Sequence, residues 1–128
     1  MKQSDLFEAV TAQARAPRQE MKAATTHAEM AILFDKLKPK QRIAVAMTSV
    51  MGSGQATDGK PHDWLVGRRS KSKKYNTETI VLMPVDGSWK PNKYNAYKLY
   101  KRTRHGEVTV SAAHGDMGLF LKSISVKG

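Results

Sequence analysis

The stretch Trp64–Leu82, WLVGRRSKSKKYNTETIVL, lies where the hydrophobic period of the chain changes. Upstream of it apolar residues recur at helical spacing, and from Trp64 onward they alternate, so a helical part gives way to a β part here. Its apolar ends, Trp64-Leu65-Val66 and Ile80-Val81-Leu82, read as two paired strands. Between them Arg68, Arg69, Lys71, Lys73 and Lys74 fall within seven residues. Such crowding is unfavourable through self-repulsion unless a polyanion neutralises it. The five cations are therefore candidate phosphate contacts on a basic hairpin arm, with a solvated loop as the plain alternative.

Downstream, alternation predicts strands at 63–68, 78–84, 94–104, 107–113 and 118–126, with turns at Asp86-Gly87, His105-Gly106 and His114-Gly115-Asp116. Pro84 and Pro91 cannot donate to a ladder and belong at strand ends or edges. Upstream, Ser4 is a candidate N-cap for a helix carrying Leu6, Phe7, Val10 and Ala14, which Pro17 ends. Thr26-His27-Ala28-Glu29 has the capping-box pattern and opens a helix with Met30, Leu33, Phe34 and Leu37 on one face. A third helix is expected after Pro39, with Ile43, Met47, Val50 and Met51 on one face before Gly52. The expected architecture is one α+β domain over 1–128: helices in 1–51, a loop at 52–62, and a five-stranded antiparallel meander at 63–128. The meander is either a sheet covered by the helices or a small barrel.

A chain of 128 residues with 40% apolar and 26% charged residues can bury a core as a single domain. It has no cysteine, so disulfides, thiolate metal sites and cysteine nucleophiles are excluded. His27, His62, His105 and His114 lack metal-ligand spacing, and no metal or cofactor is expected. No apolar run approaches the roughly 18 residues a membrane helix needs, and no signal peptide opens the chain. An intracellular protein, cytoplasmic or nucleic-acid-associated, is expected, with homo-oligomerisation open.

Charge is the informative quantity. Residues 1–60 hold nine bases and six acids, a net of +3, and residues 61–128 hold thirteen bases and five acids, a net of +8. The β part therefore presents a positive surface suited to an anionic partner, DNA or RNA. The strand 94–104, YNAYKLYKRTR, sharpens this, because successive side chains point to opposite faces. Its odd positions offer Tyr97 and Leu99 to the core, beside Val108 and Val110. Its even positions, Tyr94, Lys98, Tyr100, Arg102 and Arg104, form a row of rings and cations suited to stacking on bases and neutralising phosphates.

Other patterns are weaker. Lys36, Lys38, Lys40 and Arg42 invite a helix-turn-helix, but the expected second helix is mostly apolar and offers few side chains to base edges. Gly59-Lys60-Pro61 lacks the context of a phosphate-cradling loop. No stretch reproduces a helix-turn-helix, RRM, KH or zinc-finger signature. A metal-independent endoribonuclease is the rival class, with His105 and His114 as acid and base. They flank one strand, however, roughly 30 Å apart at about 3.3 Å per residue, so each would need a partner elsewhere, such as His62, Tyr75, Lys98 or Glu107. A ribosome- or virion-associated structural protein is the third class. The sequence thus predicts a nucleic-acid-binding protein that contacts mainly the phosphate backbone, with no residue assigned to catalysis.

Overall fold

The computed structural model describes residues 23–49 and 56–127. The helix expected around Leu6–Ala14 lies outside them. Among the described residues there is one helix, α1 (His27–Lys36), followed by six strands: β1 (Arg42–Thr48), β2 (Asp58–Ser72), β3 (Thr77–Pro84), β4 (Tyr97–Arg104), β5 (Glu107–His114) and β6 (Met117–Val126). Each strand pairs antiparallel with the next, and β1 pairs with β6, closing the barrel. This corrects the expected helical part with a five-stranded meander. No helix among the described residues is long and apolar enough to cross a membrane.

The decisive difference is the segment expected as a third helix. Its run Ile43-Ala44-Val45-Ala46-Met47 is β1, and all five residues are buried. Five consecutive apolar residues fit a strand covered on both sides as well as they fit a helix, and periodicity alone does not separate the two. Local conformation does. Lys40 adopts a positive φ of 71° directly before the strand, which an L-residue does not adopt inside a helix. The amide of Lys40 then donates to Val66 O at 2.7 Å, and that of Val66 to Gln41 O at 2.9 Å, which starts the ladder with β2. Without β1 the other five strands would have two open edges; with it they have none.

Helix α1 begins as the sequence specifies. Thr26 Oγ1 accepts from the Glu29 amide, and the Glu29 carboxylate accepts from the Thr26 amide. The helix buries Met30, Ala31 and Phe34. It fills a gap in the wall. Strands β5 and β6 pair only from Ala112↔Leu119 to His114↔Met117. Beyond that point Ala24 bridges Ile124, and the Val110 amide donates to His27 Nδ1 at 3.0 Å. The segment leading into α1 thus takes up ladder groups that β5 and β6 do not share, and α1 plugs that end of the barrel.

Arg69 fastens the plug. Its guanidinium donates to Phe34 O at 2.8 Å and Leu37 O at 2.9 Å, and stands 5.0 Å from the centre of the Phe34 ring. The Leu37 carbonyl is thereby satisfied, and that of Phe34, which also accepts from the Leu37 amide at 3.3 Å, gains a second donor. A bulge between Val66 and Arg69 makes this possible, because the pairing with β3 slips there. Val66 faces the core before the bulge, and Arg69 does so after it, opposite Ile80. Gly67 sits in the bulge with no room for a side chain, since an added Cβ would lie 2.6 Å from Val81 O.

Replacing Arg69 with Ala should lower stability by roughly 2–4 kcal/mol in urea unfolding, because it strips a charged donor from two carbonyls. Arg69→Lys should recover only part of this, since an ammonium lacks the planar fork. Gly67→Ala should also destabilise, by about 1–3 kcal/mol, through the backbone clash. Wild-type stability in Arg69→Ala would mean that the guanidinium does not hold the helix.

Candidate nucleic-acid interface and a cavity at the barrel mouth

Strand β4 begins at Tyr97, not at residue 94, and its faces separate by parity. Leu99 is wholly buried in the row Ile80–Leu99–Ala112–Leu119. Tyr97 is half-buried and packs against the core. The other parity, Lys98, Tyr100, Arg102 and Arg104, lies on the outside of the barrel. Small residues occupy the neighbouring positions: Thr79 and Ser111 pair with Tyr100, Thr77 and Thr109 with Arg102, and Val81 and Ala113 with Lys98. These short side chains leave a shallow groove beside the Tyr100 ring, completed by Asp116 and Gly118. Partial burial and then the nearby Asp116 charge raise the Tyr100 phenol above its ordinary pKa, so the ring stays neutral at physiological pH.

Lys98 also borders a second outer groove, shared with Arg68, Lys90 and Lys93 over a floor that includes Val81 and Met83. The ion pairs show why these cations matter. Asp35 and Glu78 are engaged by Lys101, Asp63 by Arg42 and Lys127, and Asp58 by His62. Among the described residues Arg68, Lys90, Lys93, Lys98 and Arg102 have no carboxylate partner. These four acids are engaged within the barrel, and among the described residues the cations of the outer grooves form no ion pair.

The remaining sequence-predicted residues are dispersed. The segment Arg68–Ser72 does not protrude as an arm: β2 pairs with β3 as far as Ser72↔Thr77, and only Lys73–Asn76 turn. Arg68 reaches the outer groove while its neighbour Arg69 binds the end of α1. Lys71 is exposed and stands opposite Glu78 in the β2–β3 ladder, in the row that continues to Lys101. Lys73 and Lys74 are exposed in the turn, and Lys74 lies 5.3 Å from the centre of the Tyr75 ring. Tyr94 is not on β4. It stands 75% exposed in the β3–β4 connection, under Lys93, and shares no strand face with Tyr100. Arg104 lies at the far end of β4, opposite Glu107.

Lys101 shows the inward side of the same strand. It is anchored between Asp35 of α1 and Glu78 of β3, 5.9 Å from the centre of the Phe34 ring. Burial works against its charge, but the two carboxylates outweigh that and raise its pKa.

The opposite end of the barrel holds a cavity of about 520 Å³ that sequence reasoning missed, lined by His62, Trp64, Trp89, Asn95, Tyr97 and His114 among others. Tyr97 and His114 pair across β4 and β5, and their rings stack nearly parallel at 4.1 Å. Trp64 meets Tyr97 at 5.1 Å and Trp89 edge-on at 6.4 Å. His62 Nε2 lies 2.8 Å from Asp58 Oδ1. That contact, with the Lys60 amide, holds the Asp58 carboxyl below its ordinary pKa. Among the described residues the buried Trp64 Nε1–H has no acceptor. Leaving such a donor unpaired costs about 1–3 kcal/mol. Trp64 and Tyr97 read locally as core residues; only closure of the barrel gathers them with Trp89 and the two histidines.

Among the described residues no group of three or more His, Asp or Glu is placed to hold a metal ion. No known protein family, curated protein or solved structure matches the chain.

The two faces of β4 make opposite demands on stability. Leu99→Ala should cost roughly 2–5 kcal/mol by emptying core volume. Tyr100→Ala should cost under about 1.5 kcal/mol, since its ring already meets solvent. Equal losses in thermal melts of the two variants would contradict this division of faces.

Proposed function

We propose that the protein binds nucleic acid through the outer face of β2–β5, mainly by contacts to the phosphate backbone. The observation that supports this is the set of uncompensated cations Arg68, Lys90, Lys93, Lys98 and Arg102 around two grooves that meet at Lys98. A polyanion removes their mutual repulsion and releases counterions as it binds. Tyr100, between Lys98 and Arg102 and flanked by small side chains, offers a ring on which a base can stack. Arg69 leaves the contact set, because it is bound to helix carbonyls.

A metal-independent endoribonuclease is the second reading, and one observation favours it in a changed form. His105 and His114 sit at opposite ends of β5, but His62 and His114 line the same cavity. An imidazole pair on one cavity is the minimum that acid–base cleavage of RNA needs. RNA cleavage lost in both His62→Ala and His114→Ala would promote this reading.

For the binding function, the triple variant Arg68→Ala/Lys98→Ala/Arg102→Ala should weaken binding to all sequences alike. At about 0.9 per contact, the slope of log K against log salt on duplex DNA should fall in magnitude by about 2.7. The fold should survive, since the one hydrogen bond lost is the long 3.4 Å contact from Arg102 Nε to Thr77 Oγ1, which adds little stability. An unchanged affinity and slope, measured by fluorescence anisotropy on labelled DNA and RNA, would overturn the proposed interface.

A further inference from the structure

The six-stranded barrel has two unlike ends. Helix α1 fills one with Phe34, while the other opens into the aromatic cavity. We propose that this mouth is a recognition pocket for a single nucleobase, taken up as a planar heteroaromatic ring while the attached phosphate stays outside.

Four observations converge on that class of ligand. The walls are flat and aromatic: Trp64, Trp89 and the stacked Tyr97–His114 pair meet at the cavity without filling it. Such surfaces favour a ring of any sequence, because every base has a π-face. Among the described residues the lining contains no lysine, arginine, aspartate or glutamate, so no permanently charged side chain is there to hold a phosphate or a free cation. It is not greasy either. The lining carries the imidazoles of His62 and His114 and the side-chain amide of Asn95. The hydrogen-bonding edge of a base carries the acceptors and donors that such groups require, whereas a lipid chain carries none.

The fourth observation is where the mouth lies. The β3–β4 connection borders both the mouth and the outer cationic groove. It gives Trp89 and Asn95 to the mouth, and Lys90, Asn92 and Lys93 to the groove. Trp89 and Lys90 are consecutive residues. The connection is held in shape by its own side chains: Asn92 Oδ1 accepts from the Tyr94 and Asn95 amides, and Asn95 Oδ1 accepts from the Asn92 amide. A strand whose phosphates follow Lys90, Lys93 and Lys98 therefore runs along one side of a segment whose other side faces the pocket. Base capture here presupposes the nucleic-acid binding proposed above and adds a site that phosphate contacts alone do not require. An unpaired base can leave a single strand to enter it; a base stacked in a duplex cannot.

The chain provides its own reporter, because both of its tryptophans line the mouth. Adenosine, guanosine, cytidine and uridine, titrated one at a time, should quench tryptophan fluorescence saturably. Ribose 5-phosphate, which has the sugar and phosphate but no base, should not. Trp89→Ala should weaken nucleoside binding by about five- to a hundred-fold, the range expected for one lost stacking surface. His114→Ala keeps both tryptophans and should weaken it in the same direction, and a melting curve on each variant separates lost binding from lost fold. If Trp89→Ala does not fold, His114→Ala decides.

The outer-face variant Lys98→Ala/Arg102→Ala should keep nucleoside quenching while losing affinity for polynucleotide, so failure of the pocket and failure of the outer interface are distinguishable. Absence of saturable quenching by all four nucleosides, while the protein still binds single-stranded nucleic acid, would overturn the pocket and leave the interface standing. Equal quenching by ribose 5-phosphate, or undiminished quenching in folded His114→Ala, would also overturn it.

Discussion

The structure depends on how one end of the barrel is closed. Strands β5 and β6 part after three paired positions, and a barrel open along that seam would expose ladder groups and core together. Phe34 enters the gap and is wholly buried, with the Arg69 guanidinium 5.0 Å and the Lys101 ammonium farther out at 5.9 Å from its ring centre. Drawing two cations toward a core is unfavourable unless each is compensated. Both are. Arg69 donates to the Phe34 and Leu37 carbonyls at the end of α1, and Lys101 meets carboxylates from α1 and β3. Helix, barrel wall and core are thus fastened by one cluster.

That cluster also determines what is left for a ligand. The chain carries twice as many bases as acids, 22 against 11, so carboxylates are scarce. Three of them serve as counter-charges in two clusters: Asp35 and Glu78 beside Lys101, and Asp63 between Arg42 and Lys127. Asp63 is held below its ordinary pKa chiefly by the Arg42 hydrogen bond. Among the described residues the outer cations Arg68, Lys90, Lys93, Lys98 and Arg102 form no ion pair, though Asp116 borders the groove beside Lys98 and Arg102. A surface of uncompensated charge thus follows from economy in the interior, and it is the property that a polyanion exploits.

The bulge at Gly67 divides these roles between neighbours. Arg68 and Arg69 are adjacent and chemically identical, yet one borders the outer groove and the other binds the helix end. The side-chain period of a strand is two, so a one-residue slip in pairing exchanges the faces of everything beyond it. The same geometry separates Tyr97 from Tyr100: one ring stacks on His114 at the mouth, the other stands outside among hydroxyl side chains.

What the sequence determined by itself is what local interactions determine. The capping box at Thr26 and Glu29 starts α1, because the groups involved are three residues apart. His105-Gly106 turns β4 into β5 with positive φ at both residues, the conformation of a two-residue hairpin. Alternation along β4 separates Leu99 from Lys98 and Tyr100, and the excess of basic residues is plain from composition. Only the tertiary structure decided the rest. RIAVAMT satisfies either a helix or a doubly covered strand, and the choice falls to the strand because β2 and β6 each need a partner edge. Arg69 looks like its basic neighbours until the bulge and the helix end, more than thirty residues away in sequence, meet it. The mouth has little local signature, since His62 and Trp64 come from β2, Tyr97 from β4, His114 from β5 and Trp89 from the β3–β4 connection. Each reads alone as core or turn, and barrel closure, which couples residues far apart in the chain, makes them one cavity.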